Sequence, residues 1–366
     1  MPRPMGHLRI LLSSRVVLDL EEADAVYKEK GKQAYTDYLR CRGEYAKDFD
    51  PEIGGRRLKK GPLFDVALAL HKLNEVTNEP IVELGLTCKD EIDSALPIFR
   101  NLDVAGLGLS MEYRVASAGK KLGHEVHQAF STDLFLTRNA DDAQTAIDLG
   151  IAAAVINFPP EGTYDYEQDN GPVRLFVDGD AVAFGSAAEL RYRTEGLDAY
   201  RRLENEDFDK PLDPGPFTAV LAKISVLNER FPDGKKPFEI ALLTARGSLA
   251  SARAVTISET LGLRFNGGMF FMGGASKHDV LKAHRPHLFF DDQMVHLTEG
   301  SKYCPTGLVA YATGSPMHEY LLQQKRAAAQ ANATDITKPQ DTAAPAPVAP
   351  DLKVVDPKKG TGPAPV

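Results

Sequence analysis

Cysteine is scarce in this chain, and long apolar runs are missing from it. The 366 residues include three cysteines, Cys41, Cys88 and Cys304, which lie far apart and form no Cys-x-x-Cys pair. Their spacing excludes a disulfide framework and a zinc knuckle, and it indicates a reducing compartment. No apolar run approaches the ~20 residues that a membrane-spanning helix needs, and residues 10–12 are too few for the core of a signal peptide. We therefore expect a cytoplasmic protein with no membrane partner.

Basic residues are fewer than acidic residues in this chain. Lysine and arginine total 43 against 51 acidic residues, and the net charge of −8 argues against nucleic acid as a partner, because phosphate backbones are bound by concentrated lysine and arginine. The chain is otherwise ordinary for a globular protein, with 43% hydrophobic and 26% charged residues. Its length allows two domains that each have a core.

Aromatic residues are missing from the last part of the chain. Residues 327–366 contain seven prolines and no aromatic side chain. Such a segment buries too little apolar surface to offset the entropy lost on ordering. We therefore predict a disordered Ala/Pro-rich tail, and we assign residues 319–366 to it.

The rest of the chain contains an internal repeat. The segment G-P-L-F-D-V-A-L-A-L-H-K-L-N-E is identical at six of fifteen positions to G-P-F-T-A-V-L-A-K-I-S-V-L-N-E. Two further pairs of segments match in the same order, with offsets of 165, 154 and 157 residues along the chain. The three pairs are residues 29–35 with 194–200, 61–75 with 215–229, and 83–89 with 240–246. We infer a duplication, with copies near residues 8–157 and 173–313.

Each copy alternates strand-like apolar runs with helix-length segments. This pattern predicts an α/β fold of two tandem Rossmann-like halves, each a parallel sheet with helices on both faces. The strands predicted for the second copy are residues 175–177, 240–243, 268–271, 288–290 and 308–312. Ligands of such sheets bind beyond the carboxyl ends of the strands, so the residues that follow each strand are informative.

Polar residues follow four of these strands: Asp178 and Asp180 after the first, Thr244, Ala245 and Arg246 after the second, Lys277 after the third, and Asp291 and Asp292 after the fourth. Each has an ordinary structural explanation when taken alone. Asp-Gly is a common turn, a threonine after a strand often caps a helix, and surface lysines are solvated. Their convergence on one edge of a sheet favours a reaction site.

The chemistry that suits this set is phosphoryl transfer. One carboxylate can attack phosphorus to form an acyl phosphate, and a second can protonate the leaving oxygen and then deprotonate water. Because carboxylates repel a phosphate, a hard cation such as Mg²⁺ is needed between them. Thr244 can hold phosphoryl oxygens, and Lys277 can offset the developing charge.

The motifs F-V-D-G-D-A-V, L-L-T-A-R, G-G-A-S-K and F-F-D-D-Q resemble the four motifs of the haloacid-dehalogenase-like phosphohydrolases. Three longer stretches, S-S-R-V-V-L-D-L-E-E, R-L-F-V-D-G-D-A-V and R-P-H-L-F-F-D-D-Q-M, resemble the cytosolic 5'-nucleotidase type I family. The resemblance extends from about residue 8 to residue 313. It implies Mg²⁺-dependent hydrolysis of nucleoside 5'-monophosphates, AMP among them, to nucleoside and phosphate.

The resemblance also implies a role for each matching residue. Asp178 matches the nucleophile, and Asp180 matches the general acid/base, whose backbone carbonyl also reaches the metal. The implied metal ligands are Asp178, Asp180, Asp291 and, less securely, Asp292. The implied substrate-binding residues are Thr244, Ala245, Arg246 and Lys277.

A helical cap is expected between the first two motifs, at about residues 186–230, where it would exclude water from the site. We expect Phe184 and Arg191 to contact the nucleoside, and Arg253 to lie near the phosphate or on the surface. The resulting domains are a degenerate half at residues 1–160, a catalytic half with the cap at 161–318, and the tail at 319–366.

The first copy lacks these acids. At the same offsets, Ser13-Ser14-Arg15 stands opposite the Asp-Gly-Asp motif, Thr137-Arg138 stands opposite the Asp-Asp pair, and only Thr87 persists. We expect no Mg²⁺ there. Arg15 and Arg138 would then hold a phosphate or another anion, or pair with internal acids in a half that serves only as a scaffold.

Two other functions stay open at this point. One is a nucleotide-binding regulatory protein with vestigial hydrolysis, which the intact acids of the second copy disfavour. The other is a phosphatase of a sugar phosphate or another small phosphomonoester. The sequence also leaves a homo-oligomer open.

Overall fold

In the part of the chain that the structure describes, ten of twelve strands pair into one sheet. The structure, a computed structural model, describes residues 6–78, 80–108, 111, 113–156, 171–207, 210 and 213–336. The strands are β1 (Leu8–Ser13), β2 (Phe49–Asp50), β3 (Gly55–Arg56), β4 (Val82–Cys88), β5 (Tyr113–Ala116), β6 (Leu134–Thr137), β7 (Ala152–Ile156), β8 (Val173–Val177), β9 (Phe238–Thr244), β10 (Met269–Phe271), β11 (Leu288–Asp291) and β12 (Thr306–Leu308). Strands β2 and β3 form a separate antiparallel pair.

Helices connect and flank these strands. They are α1 (Ser14–Val17), α2 (Glu21–Arg40), α3 (Phe64–Val76), α4 (Ile92–Val104), α5 (His124–Phe130), α6 (Ala140–Asp148), α7 (Ala187–Glu195), α8 (Leu197–Glu206), α9 (Thr218–Glu229), α10 (Ser248–Thr260), α11 (His278–His284), α12 (Met294–Gly300) and α13 (Pro316–Ile336). A 3-10 helix covers Gly43–Asp48.

The sheet has the strand order β10-β9-β8-β11-β12-β7-β6-β1-β4-β5. Every neighbouring pair in it is parallel except β12 and β7, which are antiparallel, with Gly307 opposite Ile156. Counted outward from this junction, the strands of the two halves follow the same order. The strands β7, β6, β1, β4 and β5 of the first half thus correspond to β12, β11, β8, β9 and β10 of the second half. The expected α/β class is therefore confirmed, although the strands of both halves lie in one large, mostly parallel sheet and not in two. The duplication itself stays a prediction.

Four strands of the second half contain or overlap the predicted ones closely, and the fifth does not. The strand expected at residues 308–312 is β12, which begins at Thr306 and ends at Leu308. The prediction was wrong because it followed apolar side chains alone. Buried Thr306 pairs with Phe289, and Gly307 pairs with Phe290, so the strand begins where backbone pairing begins.

Helices cover both faces of the second half of the sheet. Along β8, Leu175 and Val177 lie in the main core cluster, whereas Phe176 lies in a smaller cluster with Leu281 of α11 and Leu297 of α12. Because successive residues of a strand point to opposite faces, these two clusters occupy opposite sides of the sheet. Burial on both sides explains the unbroken apolar run of β8.

Two glycines repeat one backbone detail in both halves. Helix α2 is kinked at Gly31, which has φ 82° and ψ −175°. Gly196, between α7 and α8, has φ 84° and ψ −179°. This region of backbone conformation is open essentially only to glycine. The conformation therefore explains why both matched segments, residues 29–35 and 194–200, have a glycine at this position.

The register of β4 and β9 changes one alignment made from the sequence. The side chain of Asn74 bonds the backbone of Ile81 and Val82, and that of Asn228 bonds Phe238. These bonds give an offset of 156 residues for this strand, instead of 157. Cys88 therefore stands at the position of Thr244, and the expectation that Thr87 is the retained threonine is wrong. The sequence match followed a shared Leu-Thr pair, whereas the register is set by backbone bonds.

Helix α9 belongs to the core of the second half. Its residues Val220, Leu221, Ile224 and Leu227 lie in the main core cluster. The cap stays a prediction. The range expected for it, about residues 186–230, extends over α9, which is a core helix. The helical segment that can act as a cap is α7 with α8.

The chain divides into two compact units, Met1–Leu321 and Leu322–Val366. Helix α13 continues to Ile336, so the prediction of a structureless tail is wrong for residues 319–336. Alanine, glutamine and leucine in this stretch favour a helix. The remaining predicted tail, 337–366, and the predicted boundary at residue 160 lie outside the described residues. Among the described helices, none combines the length and apolar character needed to cross a bilayer.

Candidate active site

Neighbouring strands of the second half bring the predicted site residues to one edge of the sheet. Asp178 follows β8 directly, and Asp291 ends β11, which pairs with β8. The backbone N–H of Asp178 donates to the carbonyl of Phe290 at 2.8 Å, which extends the pairing up to the two acids. Both side chains are buried, with exposed fractions of 5% and 0%.

Lys277 lies between these two acids. Its Nζ donates to Oδ1 of Asp178 at 2.5 Å and to Oδ2 of Asp291 at 2.6 Å. Lys277 is the residue before α11 and is 2% exposed. A buried ammonium held by two carboxylates is a strong electrostatic anchor, because removal of one partner would leave an uncompensated buried charge.

The acids can supply a cation site. One carboxylate oxygen from each of Asp178, Asp291 and Asp292 lies within 4.8 Å of the others. Oδ1 of Asp292 is buried and has no hydrogen-bond partner among the described residues, whereas Oδ2 accepts from the hydroxyl of Tyr311. Buried carboxylate oxygens without a donor suit a hard cation such as Mg²⁺ or Ca²⁺. The residues present therefore fit a divalent metal.

Burial raises the pKa values of all three acids. The pKa of Asp178 is raised to about 7, because desolvation and the charges of Asp291 and Asp180 outweigh the attraction of Lys277. Burial also raises the pKa of Asp291, and burial with the charges of Asp178 and Asp291 raises the pKa of Asp292 well above its usual range. The charges of Asp178 and Asp291 raise the pKa of Lys277 against the opposing effect of burial.

Thr244 lies against the loop that follows Asp178. Its side chain is 1% exposed, and its Oγ1 would lie 3.1 Å from a Cβ placed on Gly179. A glycine at 179 thus allows the backbone of the first loop to approach the threonine closely. Oγ1 of Thr244 also accepts from the backbone N–H of Arg246 at 3.3 Å. The hydroxyl is therefore held at the same edge as the acids.

Arg246 is paired with Asp180. Its Nε donates to Oδ2 of Asp180 at 2.9 Å, and its Nη2 donates to Oδ1 at 2.6 Å. The third nitrogen, Nη1, donates to Glu204 of α8 at 2.7 Å, and Arg253 donates to the same carboxylate at 2.8 Å. Arg246, Arg253 and Glu204 are all at least 96% buried. A bidentate arginine orients the carboxylate that it holds.

Glu204 is a functional candidate that sequence reasoning missed. It stands in a helical segment without a motif, and at the 165-residue offset its counterpart is Leu39, which is fully buried. In the alignment of the two halves, an acid at the position of a buried leucine could have indicated that Glu204 has a specific role. Its partners could not be inferred, because Arg246 and Arg253 are distant in the chain.

The structure thus brings Asp178, Thr244, Lys277, Asp291 and Asp292 together, with Asp180 held by Arg246. The catalytic and binding roles of these residues, and of Ala245, stay predictions. Arg246 forms ion pairs with Asp180 and Glu204, and its predicted role in substrate binding stays a prediction.

Two further expectations concerned aromatic and basic residues near the substrate. Phe184 is fully buried in the main core cluster, so the expectation that it contacts the nucleoside is wrong. Arg253 is 4% exposed and bonds Glu204 and the carbonyl of Lys210, which makes it a buried ion-pair residue and not a surface charge.

Comparison with known proteins gives a match over nearly all of the described chain. The sequence model of the 5'-nucleotidase family matches residues 1–316. The chain is 26% identical over 312 residues to human cytosolic 5'-nucleotidase 1B, an alignment that covers 82% of this chain and 48% of the relative. The chain therefore spans about half the length of the curated relative that it matches. No solved structure gives a significant match.

Proposed function

This chain belongs to the 5'-nucleotidase family, and on that premise we propose that it hydrolyses nucleoside 5'-monophosphates of the AMP type to nucleoside and phosphate. The observation that carries the proposal is the buried group of Asp178, Lys277 and Asp291 at the ends of adjacent strands, with the Asp292 oxygen beside it. The second half of the chain is the proposed catalytic half, with residues 161–318 as its domain.

Asp178 is the proposed nucleophile. One of its carboxylate oxygens attacks phosphorus, an O–P bond forms to give an aspartyl phosphate, and the bond from phosphorus to the nucleoside oxygen breaks. Asp180 gives its proton to that leaving oxygen. In the second step Asp180 takes a proton from water, the water oxygen bonds to phosphorus, and the acyl phosphate bond breaks to release phosphate and restore Asp178.

The neighbouring residues stabilise charge in this scheme. Lys277, held between Asp178 and Asp291, offsets negative charge on the transferring group, and the hydroxyl of Thr244 donates to a phosphoryl oxygen. Arg246 orients the carboxylate of Asp180 through two hydrogen bonds, and Glu204 in turn orients Arg246. The acid/base is thereby fixed in direction before substrate binds.

Asp178, Asp291 and Asp292, with the backbone carbonyl of Asp180, are the proposed ligands of a Mg²⁺ ion. When bound, the ion reduces the repulsion between these carboxylates and the phosphate. Helices α7 and α8 are the proposed cap, because Glu204 of α8 is bonded to Arg246 and Arg253 beside the site.

The two halves are proposed to derive from one duplicated unit. The shared strand order, the paired Gly31 and Gly196 conformations and the equivalent asparagine bonds of Asn74 and Asn228 support this proposal. Residues 1–160 are then a half without the catalytic acids. A cytoplasmic location is proposed from the name of the human relative.

Phosphate release from a panel of nucleotides and sugar phosphates tests the function. Wild type should release phosphate from AMP or IMP only with Mg²⁺, and Asp178→Asn should lower kcat by about 10⁴-fold or more, because the nucleophile is lost. The matched control is Asp233→Asn, an acid whose side chain is 96% exposed, which should keep wild-type activity.

Two results would redirect the proposal. Binding of AMP by wild type without any phosphate release would favour a regulatory nucleotide-binding protein. Release from sugar phosphates in preference to nucleotides would change the substrate class and keep the chemistry. Acid quenching with AMP labelled at phosphorus should trap label on wild type and none on Asp178→Asn.

A further inference from the structure

A cavity of about 570 Å³ lies at the carboxyl ends of the strands in the first half. Residues at the carboxyl ends of β1, β4 and β6 line it, including Ser13, Thr87 and Thr137, together with Arg15 and Lys89 from the segments that follow. Its place in the first half corresponds to that of the candidate active site in the second half, because the strand order is the same. The cavity is separate from the site described above.

Hydroxyls and guanidinium groups replace the acids at this edge. Ser13 stands at the position of Asp178, Arg15 at that of Asp180, Thr137 at that of Asp291 and Arg138 at that of Asp292. In the second half a phosphate meets carboxylates, so a cation must lie between them. In the first half the same positions are neutral or positive, so a phosphate needs no cation there.

Buried polar atoms without partners face this cavity. Among the described residues, Oγ of Ser13, Oγ1 of Thr87 and Oδ1 of Asp142 are buried and have no hydrogen-bond partner. Thr87 and Asp142 are 1% and 3% exposed, and all three residues line the cavity. An unsatisfied buried polar group costs about 1–3 kcal/mol, so such a set is expected where a ligand or water completes the bonding.

Each acid that lines the cavity has a partner for at least one carboxylate oxygen, and Oδ1 of Asp142, which has none among the described residues, can only accept and therefore does not bind an anion. Asp24 pairs with Arg15, and Lys89 pairs with the second oxygen of Asp142 at 2.9 Å. Asp90 accepts from Tyr35 at 2.8 Å, and burial raises the pKa of its carboxyl, which favours the neutral form. The unsatisfied hydroxyls of Ser13 and Thr87 can donate to a new ligand, and Lys89 and Arg15 have further N–H groups beyond those in their ion pairs.

Arg15 and Arg138 add to the attraction for an anion. Burial and the charge of Arg138 lower the pKa of Arg15. Their partners, Asp24 and Glu21, belong to α2, and the ion pairs are partly exposed. An anion bound in the cavity beside Arg15 would favour its charged form.

We infer that the first half binds a phosphate group, free or as a monoester, without a metal ion, through Ser13, Thr87, Lys89 and Arg15. The binding does not depend on hydrolysis in the second half. Tyr27, whose ring is 53% exposed, and Tyr35 line the same cavity and offer a surface for the organic part of an ester.

Calorimetric titration with inorganic phosphate in the presence of a chelator tests this site in the full chain. Wild type should bind phosphate, Thr87→Val and Arg15→Gln should each weaken binding by about 10-fold or more, and Thr87→Ser should restore it. Thr244→Val removes the hydroxyl predicted to bind phosphate in the second half and should leave this binding unchanged. Arg57→Gln is the control for Arg15, because it removes a half-exposed ion-paired arginine outside the cavity.

Three results would overturn the inference. The first is that wild type does not bind phosphate at millimolar concentration. The second is that Thr244→Val loses phosphate binding while Thr87→Val keeps it. The third is that the chain binds adenosine and not phosphate. Parallel titrations with AMP distinguish a monoester from free phosphate. Thermal unfolding of each variant separates loss of the fold from loss of the site.

Discussion

Both carboxylate oxygens of Asp180 accept hydrogen bonds from the guanidinium of Arg246, over 2.9 Å and 2.6 Å. The two residues follow adjacent strands, β8 and β9, and Glu204 of α8 bonds the remaining nitrogen of the guanidinium. Three separate elements therefore set the direction of one carboxylate. The proposed acid/base depends on Arg246, which belongs to the motif L-L-T-A-R, and on Glu204, which no motif identified.

Replacement of Arg246 by lysine tests this dependence. Arg246→Lys keeps the positive charge but loses the two parallel bonds to Asp180, so kcat should fall by about 10²-fold or more while KM changes little. Steady-state kinetics with AMP measure the effect. Arg253→Lys is the matched control, because Arg253 bonds Glu204 but not Asp180, and an equal loss of kcat in both variants would contradict the positioning role.

Glu204 is expected to matter for stability. Glu204→Gln leaves Arg253 buried without the countercharge of Glu204 and leaves Arg246 with Asp180 as its remaining acid, so the free energy of unfolding should fall by about 3–5 kcal/mol. Urea unfolding gives the value. Glu195→Gln on α7 removes an exposed pair with Arg191 and should cost less than about 1 kcal/mol. A small effect of Glu204→Gln would show that the buried ion pairs add little.

Asp292 is expected to control the metal requirement. Asp292→Asn removes charge from an oxygen that has no partner among the described residues, so the Mg²⁺ concentration for half-maximal phosphate release should rise by about 10-fold or more. A titration of activity with Mg²⁺ after removal of metal by a chelator measures this shift. Asp279→Asn changes a side chain that is 91% exposed and should leave the titration unchanged. Equal Mg²⁺ dependence in both variants would exclude Asp292 as a ligand.

Gly196 is expected to be intolerant of a side chain. Its φ of 84° lies in a region that L-residues rarely adopt, so Gly196→Ala should lower the free energy of unfolding by about 1–3 kcal/mol even though a Cβ would meet no atom within 4 Å. Gly247→Ala is the comparison, because φ there is −95° and the nearest atom to a Cβ lies at 3.6 Å. Chemical denaturation should separate the two variants, and equal stability would argue against strain at Gly196.

His127 is expected to make stability depend on pH. Burial lowers the pKa of His127, which is 1% exposed beside Phe135, so the folded chain binds the proton less tightly than the unfolded chain does. The free energy of unfolding should therefore fall as pH is lowered through the unfolded pKa of about 6.5 and level off below the folded pKa.

His127→Gln should reduce this slope, measured by denaturant unfolding between about pH 7 and pH 5. The control, His124→Gln, changes an exposed residue of the same helix and should keep the slope of wild type. A slope unchanged by His127→Gln would assign the pH dependence to other groups.

Much of the site could be predicted because its signals are local. Asp178, Lys277 and Asp291 each follow a short apolar run, and strands that alternate with helices must end at a common edge of a parallel sheet. Side chains at the carboxyl ends of neighbouring parallel strands therefore lie close together, independently of how the rest of the chain folds. The register of β4 against β9 was missed by one residue, because backbone bonds from Asn74 and Asn228 set it and sequence similarity does not report them.

The amino-acid sequence by itself determined the α/β class and the residues that stand at the strand ends, since both follow from apolar periodicity and short motifs, and it predicts that the two halves are equivalent. Only the tertiary structure decided that the halves join through antiparallel β7 and β12, and that Arg246 bonds Asp180 and Glu204. These contacts join residues that are distant in the chain. They depend on how buried surfaces and charges are matched in space, and no local pattern encodes that matching.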